Sequence, residues 1–582
     1  MKTEQAQVLI VGGGFGGVWA ALRAAELTTG VVLVEKAYVS RSGASTISGG
    51  VTTCPQDGDD LAKWAREFIT HGGYMCNQDW TAQLLEGQRD RVRQLADWGV
   101  PISRDKDGSI RRFSSRGMID VRCMQYSPKA AMEELRRQAL ARGVRILDRV
   151  FITDLLTTDG VYPTRGGVCG AFGFDVRSGE CIAFSARSTI LATGAMSMKG
   201  THQIDNVVCD GAAMAYRAGA RLVDLEFGFG GTFSLLMSKF VLGSYNVAIA
   251  HGATLINAAG ERFMARYDPI RYERSELSRV VAAFAKEVID GRGPVYVDMR
   301  GCDPSYWQDL KTVAQIKGGG VLLSDAVPDP KTWPLAIEPS WGLWNGARSG
   351  LMIDLKCRTN LSGLFAAGVA AKSTATGTHA SAGVPTAFSM TSGYIAGEAA
   401  AEAARNVAQH SVNPHVLREL ESNVRAPLAR KNAKTADDLH DELTTLERSV
   451  IETMQLSKKK LVDLIDRSEE LLSEAERCGA ADVHDLAKLH EARNIAESIR
   501  LVYKSAIDRT ESREQFYRED YPETDNEEWF CWHGVTRTDS GMRFDRERIP
   551  LESYAVKPER MTPRYRSPIA AIMEGSYDPA LY

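Results

Sequence analysis

Val8-Leu9-Ile10-Val11-Gly12-Gly13-Gly14-Phe15-Gly16-Gly17 is followed, after a short helical run, by Val31-Val32-Leu33-Val34-Glu35. The order is strand, glycine turn, helix, second strand and acid, which fits a dinucleotide site. Gly12 permits the tight turn, Gly14 lets the backbone approach a pyrophosphate, and Gly17 lets helix and strand pack closely. Phe15 and Gly16 sit at the helix start, where unpaired N–H groups suit phosphate oxygens. Glu35, with Lys36 beside it, is placed to accept hydrogen bonds from a ribose. A glycine triplet alone would be weak evidence. All five features in order make a specific signal.

The rest of the chain sets bounds on this reading. At 582 residues it is too long for one core and predicts about two to four domains. A net charge of −4, with acids and bases spread along the chain, gives no electrostatic case for nucleic acid. The strand pattern begins at once, without a basic region, apolar core and cleavage site, which predicts a cytoplasmic protein. The most apolar window, Phe233 to Ala250, holds Ser234, Ser238, Lys239, Ser244 and Asn246, and reads as a buried helix or loop rather than a membrane span. None of the ten cysteines pair at C-x-x-C spacing. An iron–sulfur or zinc site carried by this chain alone is not expected.

Helical spacing marks Trp80 to Trp98, and strands are expected over Val144 to Leu156 and Gly170 to Phe184. Thr189-Ile190-Leu191-Ala192-Thr193-Gly194-Ala195 is a buried strand ending in a small-residue turn, a second place for backbone to approach a cofactor. A helix over Gly211 to Ala220 has Asp210 at its N-terminal end, where a carboxylate suits the dipole. The composition then changes to loops, Trp, Pro and the run Arg262, Arg266, Arg271, Arg274, Arg279. Gly363-Leu364-Phe365-Ala366-Ala367-Gly368 resumes the earlier style, followed by a small-residue loop and the helix Ala387 to Ala404. Leu439, Leu443, Leu446 and Val450 begin a charged helical hairpin or three-helix bundle, its charges expected on solvated faces. From about residue 510 the chain is rich in Tyr, Arg, Pro and Trp with little periodicity, as in a tail that wraps its own protein or a partner.

These segments together resemble the flavoprotein subunits of the fumarate reductase and succinate dehydrogenase family, which includes L-aspartate oxidase and the adenylylsulfate reductase alpha subunit. The resemblance runs through Gly12–Gly17, Lys36 to Arg41-Ser42 and Gly49-Gly50, and Leu191-Ala192-Thr193-Gly194. It continues through Asp210-Gly211, Asn257-x-x-Gly260-Glu261-Arg262-Phe263-Met264, Gly291-Arg292-Gly293, Arg513 and Arg518-Glu519-Asp520-Tyr521-Pro522-Glu523. It implies an α/β fold: a Rossmann-like FAD-binding domain (1–229 and 346–405), an inserted mobile α+β capping domain (230–345), a C-terminal helical domain (406–510) and a tail (511–582). The cofactor-binding residues it implies are Gly12, Gly14, Phe15, Gly16, Gly17, Glu35, Lys36, Ser42, Gly43, Gly49, Gly50, Ala192, Thr193, Gly194, Asp210, Gly368 and Thr386.

The departures carry further expectations. Where membrane-complex members hold FAD through a histidine, this chain has Gly43, which implies non-covalent FAD. The glutamate after the Gly-Leu-Tyr-Ala-Ala-Gly turn is Val369. The His-Pro-Thr motif reads Gly230-Gly231-Thr232, and two further substrate positions fall near Asn345 and Ala380. A dicarboxylate site needs a cation or donor for each carboxylate, so these replacements predict a substrate other than succinate or fumarate. Leu335-Ala336-Ile337-Glu338-Pro339 and Gly293-Pro294-Val295-Tyr296-Val297-Asp298 look closest to the adenylylsulfate reductase alpha subunit. His379, in a small-residue loop, is the candidate acid or base. Arg279 and His251 are candidate catalytic residues beside it. The expected function is a soluble FAD-dependent oxidoreductase acting on a small polar organic or sulfur-containing substrate. The alternative is an electron-transfer flavoprotein subunit with a ferredoxin-like iron–sulfur partner, and a third reading is a flavin-bound protein without turnover. Oxygen, free nicotinamide and a separate iron–sulfur protein remain open as electron acceptors.

Overall fold

The computed structural model describes residues 1–114, 117–199, 207–235, 240–241, 245–312, 322–343, 348–377, 383–431, 433–451 and 455–581. Its central sheet is built around the strand Lys2–Val11. On one side lie Val31–Glu35 and Arg145–Asp148, both parallel to their neighbours. On the other runs the long parallel strand Cys181–Leu191. The first part of that strand pairs antiparallel with Val168–Asp175, and its end pairs parallel with Leu364–Ala366. A chain segment some 170 residues downstream therefore completes the same sheet, as expected for a domain interrupted by an insertion.

Helix Phe15–Leu27 packs against the sheet and against helix Val384–Arg405. Glycine makes the second contact possible. A Cβ on Gly393 would sit 2.3 Å from the carbonyl oxygen of Gly16, and one on Gly397 would sit 2.3 Å from that of Ala20. The two helices thus meet backbone to backbone, and this fixes the glycine turn against the downstream segment.

The insertion has its own sheet, in the order Phe240–Val241, Phe229–Leu235, Leu335–Leu343, Val295–Asp298, Thr254–Ile256, with helix Leu277–Ile289 packed on it. Its core, including Phe233, Leu255, Val280, Phe284 and Val297, is separate from the main one. The expected helix or loop at the start of the apolar window is instead the strand Phe229–Leu235, paired antiparallel with Leu335–Leu343. Phe233, Ser234 and Leu235 are all buried. Burial on both faces removes the alternation by which a strand is recognised. The strand expected over Val144–Leu156 is broken at Arg149, whose φ of +65° turns the chain between Arg145–Asp148 and Val150–Thr157.

Helices Ala436–Ile451, Lys458–Ala475 and Val483–Asp508 pack as a three-helix bundle around Leu439, Leu443, Leu461, Ile495 and Ile499. Their charges are not all solvated: Glu491 and Glu497 are buried, because both face basic side chains of the dinucleotide-type domain. The tail is also more regular than its sequence suggests. Cys531–Thr538 and Gly541–Arg548 form a hairpin that extends a sheet with Leu222–Val223 and Gly350–Leu351. No described helix is long and apolar enough to cross a membrane.

Candidate functional site

The glycine turn meets its steric requirements. Gly12 has φ +105°, and a Cβ there would lie 2.4 Å from the Ala192 carbonyl oxygen. On Gly17 a Cβ would lie 1.8 Å from the Gly12 carbonyl oxygen. Neither position accepts a side chain, so the loop is held tight, and Gly12 N–H donates to the Val34 carbonyl at 2.8 Å. Gly13 N–H donates to Glu35 Oε2 at 2.7 Å, and Ala37 N–H donates to Oε1 at 3.0 Å. Phe15 N–H, at the helix start, donates to Ser45 Oγ at 2.9 Å.

In front of this loop lies a cleft with about 760 Å³ of empty space, its open mouth included. Of the expected cofactor residues, Gly12, Gly14, Phe15, Gly16, Glu35, Lys36, Ser42, Gly43, Ala192, Thr193, Gly194, Asp210 and Gly368 line it. Gly17, Gly49, Gly50 and Thr386 do not. Gly17 is inside the helix and serves packing, while Gly50 turns against the Tyr126 carbonyl. Ser45, Val150, Ile152, Met214 and Ser389 also line the cleft and were not anticipated. Ser45 was within reach of sequence reasoning, in the Ser/Gly/Thr-rich stretch after Ser40. Val150 and Ile152 carry no such signal, since they read as ordinary strand residues.

A charged cluster closes the Glu35 end of the cleft. Lys36 Nζ lies 2.7 Å from both Asp210 Oδ2 and Glu491 Oε1, and Asn494 donates to Asp210 Oδ1 at 2.9 Å. Lys199 also pairs with Glu491. Burial alone would depress Lys36, but the two carboxylates outweigh it and hold the ammonium above its ordinary range. Burial raises the Asp210 carboxyl against the pull of Lys36. The helical bundle therefore backs two of the lining residues, Lys36 and Asp210, through Glu491 and Asn494.

Neither of the two described catalytic candidates, Arg279 and His251, lines the cleft. Arg279 pairs with Asp268 at 3.3 Å and lies over the Tyr577 ring. It lines a second cavity with His71, Arg513, Glu514 and Tyr565. Its neighbours in the arginine run are engaged as well: Arg262 with Glu273, Arg266 with Glu287 and Glu261, Arg271 with Glu276. His251 sits against the Phe113 and Tyr306 rings, and burial lowers its pKa. His379, Asn345 and Ala380 lie outside the described residues.

Residues 7–385 match the family model described as FAD binding domain, and residues 450–567 match the one described as Fumarate reductase flavoprotein C-term. The chain belongs to the fumarate reductase/succinate dehydrogenase flavoprotein family. It is an FAD-dependent oxidoreductase with the α/β FAD-binding, capping and C-terminal helical architecture of that family. It is 29% identical to one of the subunits of the CoM/CoB fumarate reductase of Methanothermobacter marburgensis, over 91% of this chain and 97% of that one. It is 26% identical to the L-aspartate oxidase of Streptomyces coelicolor, over 90% of each. In fold it is similar to the flavoprotein of E. coli quinol fumarate reductase, with a TM-score of 0.84 and 22% identity over 96% of this chain and 99% of that one. Adenylylsulfate reductase from Archaeoglobus fulgidus is a neighbour in fold, with a TM-score of 0.79 and 20% identity over 95% of this chain and 98% of that one. The expected special closeness to adenylylsulfate reductase is thus corrected: that protein is a neighbour in fold, with a TM-score below that of the E. coli fumarate reductase flavoprotein, and the relatives in sequence include fumarate reductase subunits. The exclusion of fumarate finds no support, since relatives in this fumarate reductase/succinate dehydrogenase family include fumarate reductase subunits.

Proposed function

We propose that this chain is the FAD-carrying subunit of a reductase that works with a separate iron–sulfur protein and passes electrons to a small unsaturated acid, fumarate being the first to test. The observation that carries this reading is its likeness, over nine-tenths or more of both chains, to named fumarate reductase subunits. The cysteine pattern agrees, since no C-x-x-C pair is present to carry electrons within this chain.

The cleft fits the cofactor: glycines that admit no Cβ, a helix that starts at the glycine turn and an acid at ribose spacing. In this reading Gly12 to Phe15 face the pyrophosphate, Glu35 exchanges its backbone partners for ribose hydroxyls, and the Lys36–Asp210–Glu491 cluster holds the nucleotide end. When bound, FAD supplies the two-electron chemistry, giving or taking a hydride. Gly43 stands where a covalent link would form, so FAD is held non-covalently. A dicarboxylate would need cations from positions other than Gly230, Asn345 and Ala380. Anaerobic reduction of the purified protein followed by fumarate tests the proposal: flavin reoxidation is expected. An unchanged reduced spectrum would direct the search to other small acids and to sulfur compounds. Acid precipitation should leave all of the flavin in the supernatant.

A further inference from the structure

Gly368 and Val369 line the cleft. Three residues beyond Val369, the chain places Lys372 in the interior, 0% exposed. An ammonium has three protons to donate, and each has a partner. Lys372 Nζ donates to the Arg348 carbonyl and to the Gly377 carbonyl at 3.0 Å, and forms an ion pair with Asp224, whose Oδ2 lies 3.1 Å away. Asp224 is itself 1% exposed, and its Oδ1 accepts from His533 N–H at 2.9 Å. Burial lowers the Lys372 pKa, and Asp224 opposes that pull.

A fully buried ion pair is a costly way to satisfy two carbonyls, and an apolar replacement often serves stability as well. What the ammonium does here is join backbone from two distant stretches at one point. Arg348 and Gly377 are 29 residues apart in sequence. Gly377 is itself wedged at φ +59°, where a Cβ would lie 2.5 Å from the Gly72 carbonyl oxygen. Arg348 reaches on to Gln515 Oε1 at 3.0 Å, so the same point is tied to the C-terminal segment. In sequence, Arg348 lies three residues after Asn345 and Gly377 two before His379.

We infer that Lys372 is a positioning residue for the substrate side of the flavin: its ammonium, balanced by Asp224, sets the spacing of the Arg348 and Gly377 carbonyls. The inference rests on the reading of the chain as a reductase whose substrate meets the flavin at the Gly368 end.

The test compares wild type, Lys372→Met and the double variant Lys372→Met/Asp224→Asn, each loaded with FAD. The single variant strands a buried carboxylate and should lose stability. The double variant removes both charges, and the introduced amide oxygen can still accept from His533 N–H. It should regain most of the melting temperature while the KM for fumarate stays raised at least tenfold, with the oxidised flavin spectrum unchanged. Amide exchange in peptides covering 348–352 and 372–377 should be faster than in wild type. A double variant with wild-type KM and exchange would overturn the inference and leave the pair a structural one. If wild type itself does not turn over fumarate, the functional reading fails on its own, and exchange alone decides: faster exchange in the double variant supports the positioning role, and unchanged exchange overturns it.

Discussion

At the scale of single residues, the glycine turn is the most constrained part of the chain. A Cβ on Gly17 would overlap the Gly12 carbonyl oxygen at 1.8 Å, a backbone atom that cannot yield as a flexible side chain could. Gly17→Ala should therefore reduce the FAD recovered per chain at least tenfold, read from the ratio of flavin to protein absorbance. The control is Gly301→Ala, where the atom nearest a Cβ would be the Gly252 carbonyl oxygen at 3.7 Å, an ordinary contact; it should keep its flavin. His533 supplies a second residue-scale prediction. Its ring is buried between Glu226, 3.3 Å from Nδ1, and Asp508, 3.1 Å from Nε2, with Arg509 and Arg546 on the same carboxylates. Burial alone would lower its pKa, but Glu226 and Asp508 raise it to about 9. A folded value above the ordinary ~6.5 means stabilisation fully present below about pH 6.5 and lost as pH rises through about 9. The loss should amount to roughly 3 kcal/mol at most, at about 1.4 kcal/mol per unit. Thermal melts between pH 6.5 and 9.5 should show it, and His533→Gln should flatten the dependence. The glycine turn was legible in the sequence because its requirement is local. The partners of His533 were not, since Glu226 and Asp508 are reached only once the tail has folded back onto the body.

Among the elements, those with a clear period were the legible ones. Helix Gln78–Asp97 and the strands Lys2–Val11 and Val31–Glu35 lie close to where spacing put them, because each has one buried stripe or a continuous apolar run. The single strand expected over Gly170–Phe184 is instead two antiparallel strands, Val168–Asp175 and Cys181–Leu191, joined by a turn whose polar residues interrupt the apolar run. The hairpin Cys531–Arg548 was hidden because its first strand, with His533, Gly534 and Thr536 among its residues, is buried through most of its length and does not alternate. The cleft showed the same division. The strand-turn-helix half was readable, whereas the support that helix Val483–Asp508 gives Lys36 and Asp210 was not, since Glu491 looks like any surface acid on a charged helix. That support is testable. Glu491→Gln keeps the shape but removes the charge that Lys36 and Lys199 share. Losing one partner of a buried charged cluster typically costs several kcal/mol. The variant should melt several degrees lower and bind FAD more weakly, measured by flavin titration of the apoprotein. A surface change on the same helix, Lys504→Gln, should do neither.

For the whole molecule, the C-terminal stretch joins two bodies that the family resemblance treats as mobile relative to each other. Strand Arg564–Arg566 pairs with Glu523–Asp525, and Ser567 N–H donates to the Pro522 carbonyl, so this part belongs to the tail next to the bundle. The next residues form helix Pro568–Glu574, and Ile569, Ala570, Ile572 and Met573 enter the core of the inserted domain against helix Leu277–Ile289. The change of body takes place within about two residues, so the inserted domain cannot swing far without pulling this helix out or unzipping the short strand. Burying the three larger side chains is worth roughly 1.5–3 kcal/mol each as an upper figure, enough to favour the closed arrangement. Ending the chain after Ser567 removes this strap and leaves the cofactor cleft and its lining intact. Amide exchange in Leu277–Ile289 should then accelerate at least tenfold, while exchange in Lys2–Val11 and Cys181–Leu191 stays as in the full chain. Reduced flavin in the shortened protein should also be oxidised faster by dissolved oxygen, because a domain free to open no longer shields it. Equal exchange in the two proteins would mean that the inserted domain is held by its own connections and that this helix only covers its core.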